Sequence, residues 1–438
     1  MSNLQSPQRS NRIPYLDYLR ILAAIGVMAC HLWAYLLEFL TPKNSALSLL
    51  KSQSSVCIGI HADGLFKCDL HNLILLSGKS LDNLLFDIAN LIFGLGYQGV
   101  HIFLFLSGFG LTISSLNKLK KENNIKWLTF LKKRFLRLYP SYWIILALYL
   151  IINYSLYKSF LGIIKTYLLG GIFLNTIPAT WYIFIIMQLY LIFPFLFNLM
   201  NRLPLKNFIV ITLMVKISAS FIIILLSEFW FGKLIGFGDG ALAPGNICLT
   251  RLFEFCFGMI VAKLYFEKNP SFVSFKWFTN KIILACAVIS EILGLWLSSD
   301  KGNLVINGRI LPLGLTVSDI FIGFGIVTIM INIISIFKYY LLKINQKFLS
   351  LVSNSTYEAY LFHGVLLSIF TGLFYPALLN NYKFFNVPGG LLYPILIYLI
   401  GLLIFTILNL SLGVYLERSN LLSYIDKKLN SLLGRLGV

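Results

Sequence analysis

The chain has 438 residues, of which 58% are hydrophobic and only 12% are charged, and its mean hydropathy is +0.80. These values exclude an ordinary soluble domain, in which about a quarter of the residues are charged, and predict a polytopic membrane protein. The formal net charge of +19 has two candidate explanations, membrane topology and nucleic-acid binding.

Ten stretches are apolar and long enough, at about 17–25 residues each, to cross a bilayer as helices. In chain order they are 18–40, 90–113, 139–157, 181–200, 207–228, 249–266, 281–298, 312–337, 356–378 and 390–415. A further apolar stretch at 159–176 is shorter and lies beside or contains Lys158 and Lys165. We interpret it as a membrane-surface or re-entrant segment.

The distribution of basic residues predicts the orientation. If both termini are cytoplasmic, 24 of the 36 Lys and Arg residues fall in cytoplasmic segments, as the positive-inside rule requires. Topology thus explains the positive charge, and we expect no nucleic-acid partner. The sequence predicts an all-α membrane bundle of about ten transmembrane helices. The membrane domain is expected over residues 1–415, and a basic cytoplasmic tail over 416–438.

The largest outer loop, at about 41–88, contains several side chains of the kinds that bind metals. They are Cys57, His61, Asp63, Cys68, Asp69 and His71. Three interpretations stay open for this loop: a metal site, a disulfide between Cys57 and Cys68 in an oxidising exterior, or a loop with neither. We predict no metal site in this protein.

The first span, "YLDYLRILAAIGVMACHLW", contains an arginine and a histidine, which membrane helices usually avoid. Arg20 and His31 are eleven positions apart, about three turns, so they project from nearly the same helix face. Arginine stays protonated and needs an anion, whereas a buried neutral histidine can exchange a proton near pH 7. Alternatively, Arg20 pairs with Asp17 at the interface and His31 is a hydrogen-bonded core residue.

A second group is "KKRFLRLYPSYW", in which Arg134 and Arg137 are one turn apart ahead of Pro140. We expect Pro140 to begin the third span, because proline is common at helix starts. Two arginines at this spacing can hold one phosphate-bearing ligand from the cytoplasmic side. Alternatively, they are topology signals only.

The stretch "GVHIFLFLSGFG" combines a packing signal with a further histidine. Ser107 and Gly108 allow a neighbouring helix to approach closely. His101 is expected at the outer end of its span, where it can face water.

Isolated acidic residues occur in the later spans. Arg251 and Glu254 are one helical turn apart and are expected to neutralise each other. The sequence indicates no partner for Glu291 or Asp319.

The sequence lacks two motifs that are common in hydrolases and acyltransferases. It contains no GxSxG elbow, and none of its five histidines is followed at the fifth position by aspartate. A hydrolase elbow and a His-x4-Asp acyltransferase signature are therefore excluded.

Six of these stretches, taken in order over roughly 350 residues, resemble the acyltransferase-3 family of integral-membrane O-acyltransferases, in its stand-alone type. They are Arg20 with His31, Gly99 to Phe109, Arg134 with Arg137 ahead of Tyr139-Pro140, Trp181-Tyr182 with Tyr190 and Pro194, Arg251 to Met259, and Tyr357 to His363. The family often has an acidic residue where this chain has His101. The resemblance implies a bacterial inner-membrane enzyme that moves an acyl group, expected to be acetyl, from cytoplasmic acyl-CoA to a hydroxyl of a cell-envelope polysaccharide or lipid-linked glycan.

The resemblance also implies roles for individual residues. His31 is expected to act as a general base or a transient acyl carrier, with Arg20 beside it, and Arg134 and Arg137 are expected to bind the CoA phosphates. Further substrate-site candidates are Ser107, Trp181, Tyr182, Glu254, Tyr357 and His363. Acyl-CoA is expected as a co-substrate, with no permanently bound cofactor.

A transporter of a glycan or lipid intermediate is the alternative, because buried charges also line translocation paths. The acceptor cannot be read from the sequence.

Overall fold

The structure is a computed structural model that describes residues 13–40, 57–58, 67–68, 81–122, 125–152, 181–226, 247–267, 278, 280–298, 304–306, 309–311, 313–341, 343–379 and 392–435. The described part is mostly helical. Its α-helices are α1 (Pro14–Leu40), α2 (Leu81–Gly94), α3 (Gly99–Glu122), α4 (Trp127–Ile152), α5 (Trp181–Arg202), α6 (Leu205–Leu226), α7 (Leu252–Glu267), α8 (Lys281–Ser298), α9 (Leu315–Ile336), α10 (Lys338–Leu341), α11 (Gln346–Asn354), α12 (Thr356–Leu379), α13 (Leu392–Glu417) and α14 (Asn420–Arg435). Single 3₁₀ turns, Leu95–Gln98 and Cys248–Arg251, precede α3 and α7.

The predicted all-α membrane bundle is confirmed. Each of the ten predicted spans coincides with a helix, namely α1, α3 to α9, α12 and α13. Among the described residues, eight helical segments are long and apolar enough to cross a membrane. The chain is thus a multi-pass membrane protein. The stretch 159–176 lies outside the described residues.

The expected start of the third span at Pro140 is wrong, because α4 begins at Trp127 and contains Pro140. A proline inside a helix lacks the N–H that would bond the carbonyl four residues earlier. Packing favours the earlier start, since the Trp127 ring contacts Phe193 and Phe197 of α5 with centroids 6.1 and 5.6 Å away. Tertiary contacts of this kind supply most of the stability of a helix in a protein.

The described part also contains two short antiparallel strand pairs. β1 (Cys57–Ile58) pairs with β2 (Lys67–Cys68), and β3 (Leu304–Ile306) pairs with β4 (Arg309–Leu311). The register of the first pair places Cys57 opposite Cys68 along the backbone. The other metal-ligand candidates of the predicted outer loop, at positions 61, 63, 69 and 71, lie outside the described residues.

Helices α3 and α7 pack backbone to backbone, as the Ser107-Gly108 pair predicts. A Cβ atom added to Gly108 would lie 2.0 Å from the carbonyl oxygen of Phe255, and one added to Gly258 would lie 2.0 Å from that of Phe105. Only glycine fits at these two positions. The contact fixes α3 at the centre of the described bundle, with α7 on one side of it.

We expect the substitution Gly108→Ala to lower the melting temperature of the purified protein in detergent. The added methyl group must push α3 and α7 apart, and overpacking of this kind typically costs about 1–3 kcal/mol. Gly110→Ala is the matched control on the same helix, because nothing lies within 4 Å of its Cβ position. Equal melting temperatures for the two variants would contradict the close helix contact.

Candidate functional site

A cavity of about 350 Å³ lies on the side of α3 that faces away from α7. Helices α1, α3, α4, α5, α11 and α12 enclose it. We call it the arginine cavity; it is lined by Arg20, Phe103, Leu106, Ser107, Gly110, Leu111, Arg134, Arg137, Leu138, Tyr182, Ile186, Tyr190, Ser353, Asn354, Thr356, Tyr357 and Tyr360.

The cavity has an exposed end and a buried end. Arg20 and Arg137 keep 34% and 41% of their side-chain surface exposed, so the arginines form its mouth. Tyr182 and Tyr360 are only 7% and 2% exposed and form the inner wall. A ligand that enters this cavity therefore meets guanidinium groups first and aromatic hydroxyl groups last.

Two of the three arginines at the mouth are paired with acids. Arg20 contacts the Asp17 carboxylate at 3.4 Å and donates to the Ser353 hydroxyl at 2.9 Å. Arg137 contacts the fully buried Glu358 carboxylate at 3.0 Å.

Arg134 differs from its two neighbours at the mouth. Its Nε is buried and donates a hydrogen bond to none of the described residues. None of the described carboxylates lies within salt-bridge distance of it either. The guanidinium instead lies over the Phe130 ring, 5.4 Å from the centroid. Because a guanidinium with no acid beside it and a buried Nε without an acceptor favours an anionic ligand, Arg134 is the strongest anion-binding candidate in the cavity.

A pair of histidines lies behind the inner wall of the cavity. The rings of His31 and His363 are 5.2 Å apart, and the His363 ring is 4.8 Å from that of Tyr360. Nδ1 of His31 lies 2.9 Å from the Val27 carbonyl oxygen, and Nδ1 of His363 contacts the Tyr360 carbonyl oxygen. Since a carbonyl only accepts, each Nδ1 carries a hydrogen, and each Nε2 keeps its lone pair in the neutral ring.

Helix periodicity explains how the mouth and the histidine pair are joined. Arg20 contacts Ser353, and His31 contacts His363, so one face of α1 meets α11 and α12. The shared face predicted for Arg20 and His31 is thus confirmed. On α12, Thr356, Tyr360 and His363 follow the i, i+4, i+7 spacing of one face. Each helix therefore carries a polar stripe that begins at the mouth and ends at the histidines.

The remaining cavity candidates fall in three places. Ser107 and Tyr182 form a hydroxyl pair across the cavity, with their oxygens 3.2 Å apart. Tyr357 lines the cavity and donates to the Leu138 carbonyl at 2.9 Å. The side chain of Trp181 lies outside the described residues.

Glu254, one of the substrate-site candidates, does not line the arginine cavity. Its carboxylate lies 3.0 Å from the imidazole of His101 on α3. His101 occupies the α7-facing side of α3, opposite Phe103 and Ser107, which line the cavity. The expectation that His101 faces water is wrong, since it is only 1% exposed.

His101 and Glu254 belong to a buried charge cluster. Arg251 contacts the Glu254 carboxylate at 3.4 Å, as predicted, and also contacts Asp319 at 2.6 Å. Lys216, in the middle of α6, is fully buried, lies 3.9 Å from Asp319 and donates to the Thr316 carbonyl at 2.5 Å. The charge cluster thus joins α3, α6, α7 and α9, and its two acidic side chains, Glu254 and Asp319, lie beside two basic ones, Arg251 and Lys216.

Three members of the charge cluster are of metal-ligand type. Ligand atoms of His101, Glu254 and Asp319 lie within 4.8 Å of one another. Arg251 and Lys216 already neutralise the two carboxylates, so the cluster has no excess negative charge to attract a cation.

Glu291 also has a partner that the sequence did not indicate. The Gln98 side-chain amide donates to its carboxylate between α8 and the turn that precedes α3.

The site candidates predicted from the sequence did not include Tyr190, Tyr360 or Ser353, which line the cavity, although the first two lie in the stretches that resemble the family. Helix periodicity could have predicted Tyr360, because it lies three residues before His363 on the same face of a helix. Ser353 had no such signal: its contact with Asp17, at 2.7 Å, joins residues 336 positions apart.

Comparison with known proteins decides the family. A family model described as an acyltransferase domain matches residues 13–414, nearly the whole chain. The chain belongs to this acyltransferase family. Neither the curated proteins nor the solved structures gave a significant match. Family membership favours the enzyme over the transporter hypothesis, so the cavity and histidine pair are those of a membrane acyltransferase.

We expect the substitution Lys216→Met to destabilise this acyltransferase by about 3 kcal/mol or more, because it leaves a buried carboxylate without one of its cations. Adding Asp319→Asn should recover part of the loss, since the Arg251–Glu254 pair is then balanced. A double-mutant cycle measured by unfolding in detergent checks this. Strictly additive losses would show that the charge cluster is not coupled.

Proposed function

We propose that this acyltransferase moves an acyl group from acyl-CoA, bound in the arginine cavity, to a hydroxyl group of a glycan. The observation that carries the proposal is the order of groups: three arginines lie at the cavity mouth, Tyr182 and Tyr360 form the inner wall, and the ring of His363 lies 4.8 Å behind that of Tyr360. A donor with phosphates at one end and a thioester at the other matches this order of groups.

The cavity mouth suits the phosphate groups of CoA. Arg134 supplies a guanidinium without an acidic partner among the described residues, and Arg137 can share its guanidinium between Glu358 and the ligand. The predicted sidedness puts this mouth on the cytoplasmic side, where acyl-CoA is made. Charge-assisted contacts to phosphate hold the donor while its pantetheine arm extends toward Tyr182 and Tyr360.

The histidine pair supplies the base. Nε2 of His31 takes the proton of the acceptor hydroxyl as its oxygen attacks the thioester carbonyl carbon; the tetrahedral intermediate then expels the CoA thiolate, which takes up that proton. The hydroxyl groups of Ser107 and Tyr182, 3.2 Å apart, are the proposed donors to the developing oxyanion. We assign the base to His31 because it is partly exposed, whereas His363 is fully buried.

The acceptor is proposed to reach His31 from the far side of Tyr360, and thus from the opposite membrane face to the donor. The two substrates then meet at the histidines without sharing an entrance. A surface polysaccharide or a lipid-linked sugar fits this arrangement, and acetyl is the simplest acyl group for it.

We expect His31→Ala to lower acyl transfer by at least about 100-fold, because a positioned general base contributes about 10²–10⁴-fold. The variant should still insert and keep its melting temperature within a few degrees. His101→Asn is the matched control, since it removes another buried histidine on the far side of α3, and it should retain transfer. The assay follows labelled acyl groups from acyl-CoA into a glycan acceptor. Normal transfer by His31→Ala would refute the assignment.

We expect Arg134→Gln to weaken CoA binding about tenfold or more without loss of stability, because this arginine has no described acid to leave unpaired. Arg137→Gln should weaken binding and also destabilise the protein, since Glu358 is then buried without its cation. Adding Glu358→Gln should restore the stability but not the affinity.

Calorimetric titration of CoA into the detergent-solubilised protein measures the affinity, and thermal unfolding measures the stability. Lys133→Gln is the control, because Lys133 is exposed and does not line the cavity. If both arginine variants bind CoA as tightly as the wild type, the two arginines serve only to orient the protein in the membrane.

A further inference from the structure

A second cavity, of about 270 Å³, lies between α4 and α5. We call it the lateral slot. It is lined by Leu128, Leu131, Lys132, Arg134, Phe135, Tyr139, Met187, Gln188, Tyr190 and Leu191. Its wall is almost entirely apolar, and it adjoins the arginine cavity through Arg134 and Tyr190, which line both.

The lateral slot opens toward the hydrocarbon of the membrane. At its edge, Leu191 is 60% exposed, although it belongs to a membrane-spanning helix. Exposed leucines on such helices face lipid. An acyl chain can therefore enter the slot sideways without crossing a polar surface.

The charge of the lateral slot is confined to one end. Lys132 and Arg134 lie near the start of α4, and Tyr139 lies seven residues beyond Lys132, about 10 Å farther along the helix. A phospholipid has the same order of groups, with a phosphate at the membrane interface and a chain that points into the bilayer.

Two polar atoms along the lateral slot have no hydrogen-bond partner among the described residues. They are Nε of Arg134 and the hydroxyl of Tyr139, a residue that is 3% exposed. Buried polar groups almost always have a partner in native proteins, so these two point to a ligand. Gln188, by contrast, already accepts a hydrogen bond from the Cys248 backbone at 3.0 Å.

We propose that the lateral slot binds one anionic phospholipid of the surrounding membrane. Its phosphate lies against Lys132, at the end of the slot that adjoins Arg134, the Tyr139 hydroxyl donates to an ester carbonyl, and one acyl chain runs along Phe135 and Met187. A phospholipid fits the slot better than the acyl group of acyl-CoA does. The slot meets the arginine cavity at the arginine end, whereas the acyl group must reach the histidine pair. The proposal does not depend on which acyl donor the enzyme uses.

Binding of phosphatidylglycerol and phosphatidylcholine with identical chains to the full-length protein in detergent tests the proposal, for instance by native mass spectrometry. We expect phosphatidylglycerol to bind about fivefold or more tightly, and Lys132→Gln to remove most of that preference. Lys133→Gln is the matched control and should keep it, because the neighbouring Lys133 is exposed and does not line the slot.

A second pair of variants tests the chain-binding part. Leu191→Trp fills the lateral slot and should abolish selective binding, whereas Phe195→Trp should not, because Phe195 is also lipid-facing at 67% exposure but lies outside the slot. Equal affinity for the two lipids, or equal effects of Lys132→Gln and Lys133→Gln, would overturn the proposal. So would selective binding that survives Leu191→Trp or that inorganic phosphate displaces, since either result indicates a phosphate site without a lipid chain.

Discussion

The pairing of buried charge governs this structure. A charge inside a membrane-embedded bundle is costly unless an opposite charge or a hydrogen-bond partner lies beside it. Arg20 is paired with Asp17, Arg137 with Glu358, and Arg251 with Asp319. Among the three arginines that line the arginine cavity, Arg134 alone has no described carboxylate within salt-bridge distance. Its guanidinium is therefore the one in this cavity that is best placed to bind an anionic ligand.

Helix α3 separates the two polar regions of the bundle. One side carries Ser107 and the apolar residues that line the arginine cavity, and the other side carries His101 of the charge cluster and the glycine contact with α7. A helix can serve both regions because positions three or four apart share a face. The charge cluster holds α6, α7 and α9 against α3, so it supports the position of the cavity wall without lining it.

Periodicity and charge predicted the helices, the glycine contact and the shared face of Arg20 and His31, because these depend on residues close in sequence. They did not predict that Glu358 pairs with Arg137 or that Ser353 bridges Arg20 and Asp17, since those contacts join distant helices. Nor did they predict that Glu254 contacts His101 on the side of α3 that faces away from the arginine cavity, because the packing of α7 on α3 also joins residues distant in sequence.

The account depends on a donor that binds with its phosphates at the arginines and its thioester at the inner wall, next to the histidine pair. An experimental structure of the protein with CoA bound, in a lipid environment, tests this most directly. We expect the CoA phosphates within hydrogen-bonding distance of Arg134 and the sulfur atom beside Tyr360, on the path to His31 and His363. CoA bound elsewhere, or in this cavity with its sulfur at the arginine end, would contradict the account.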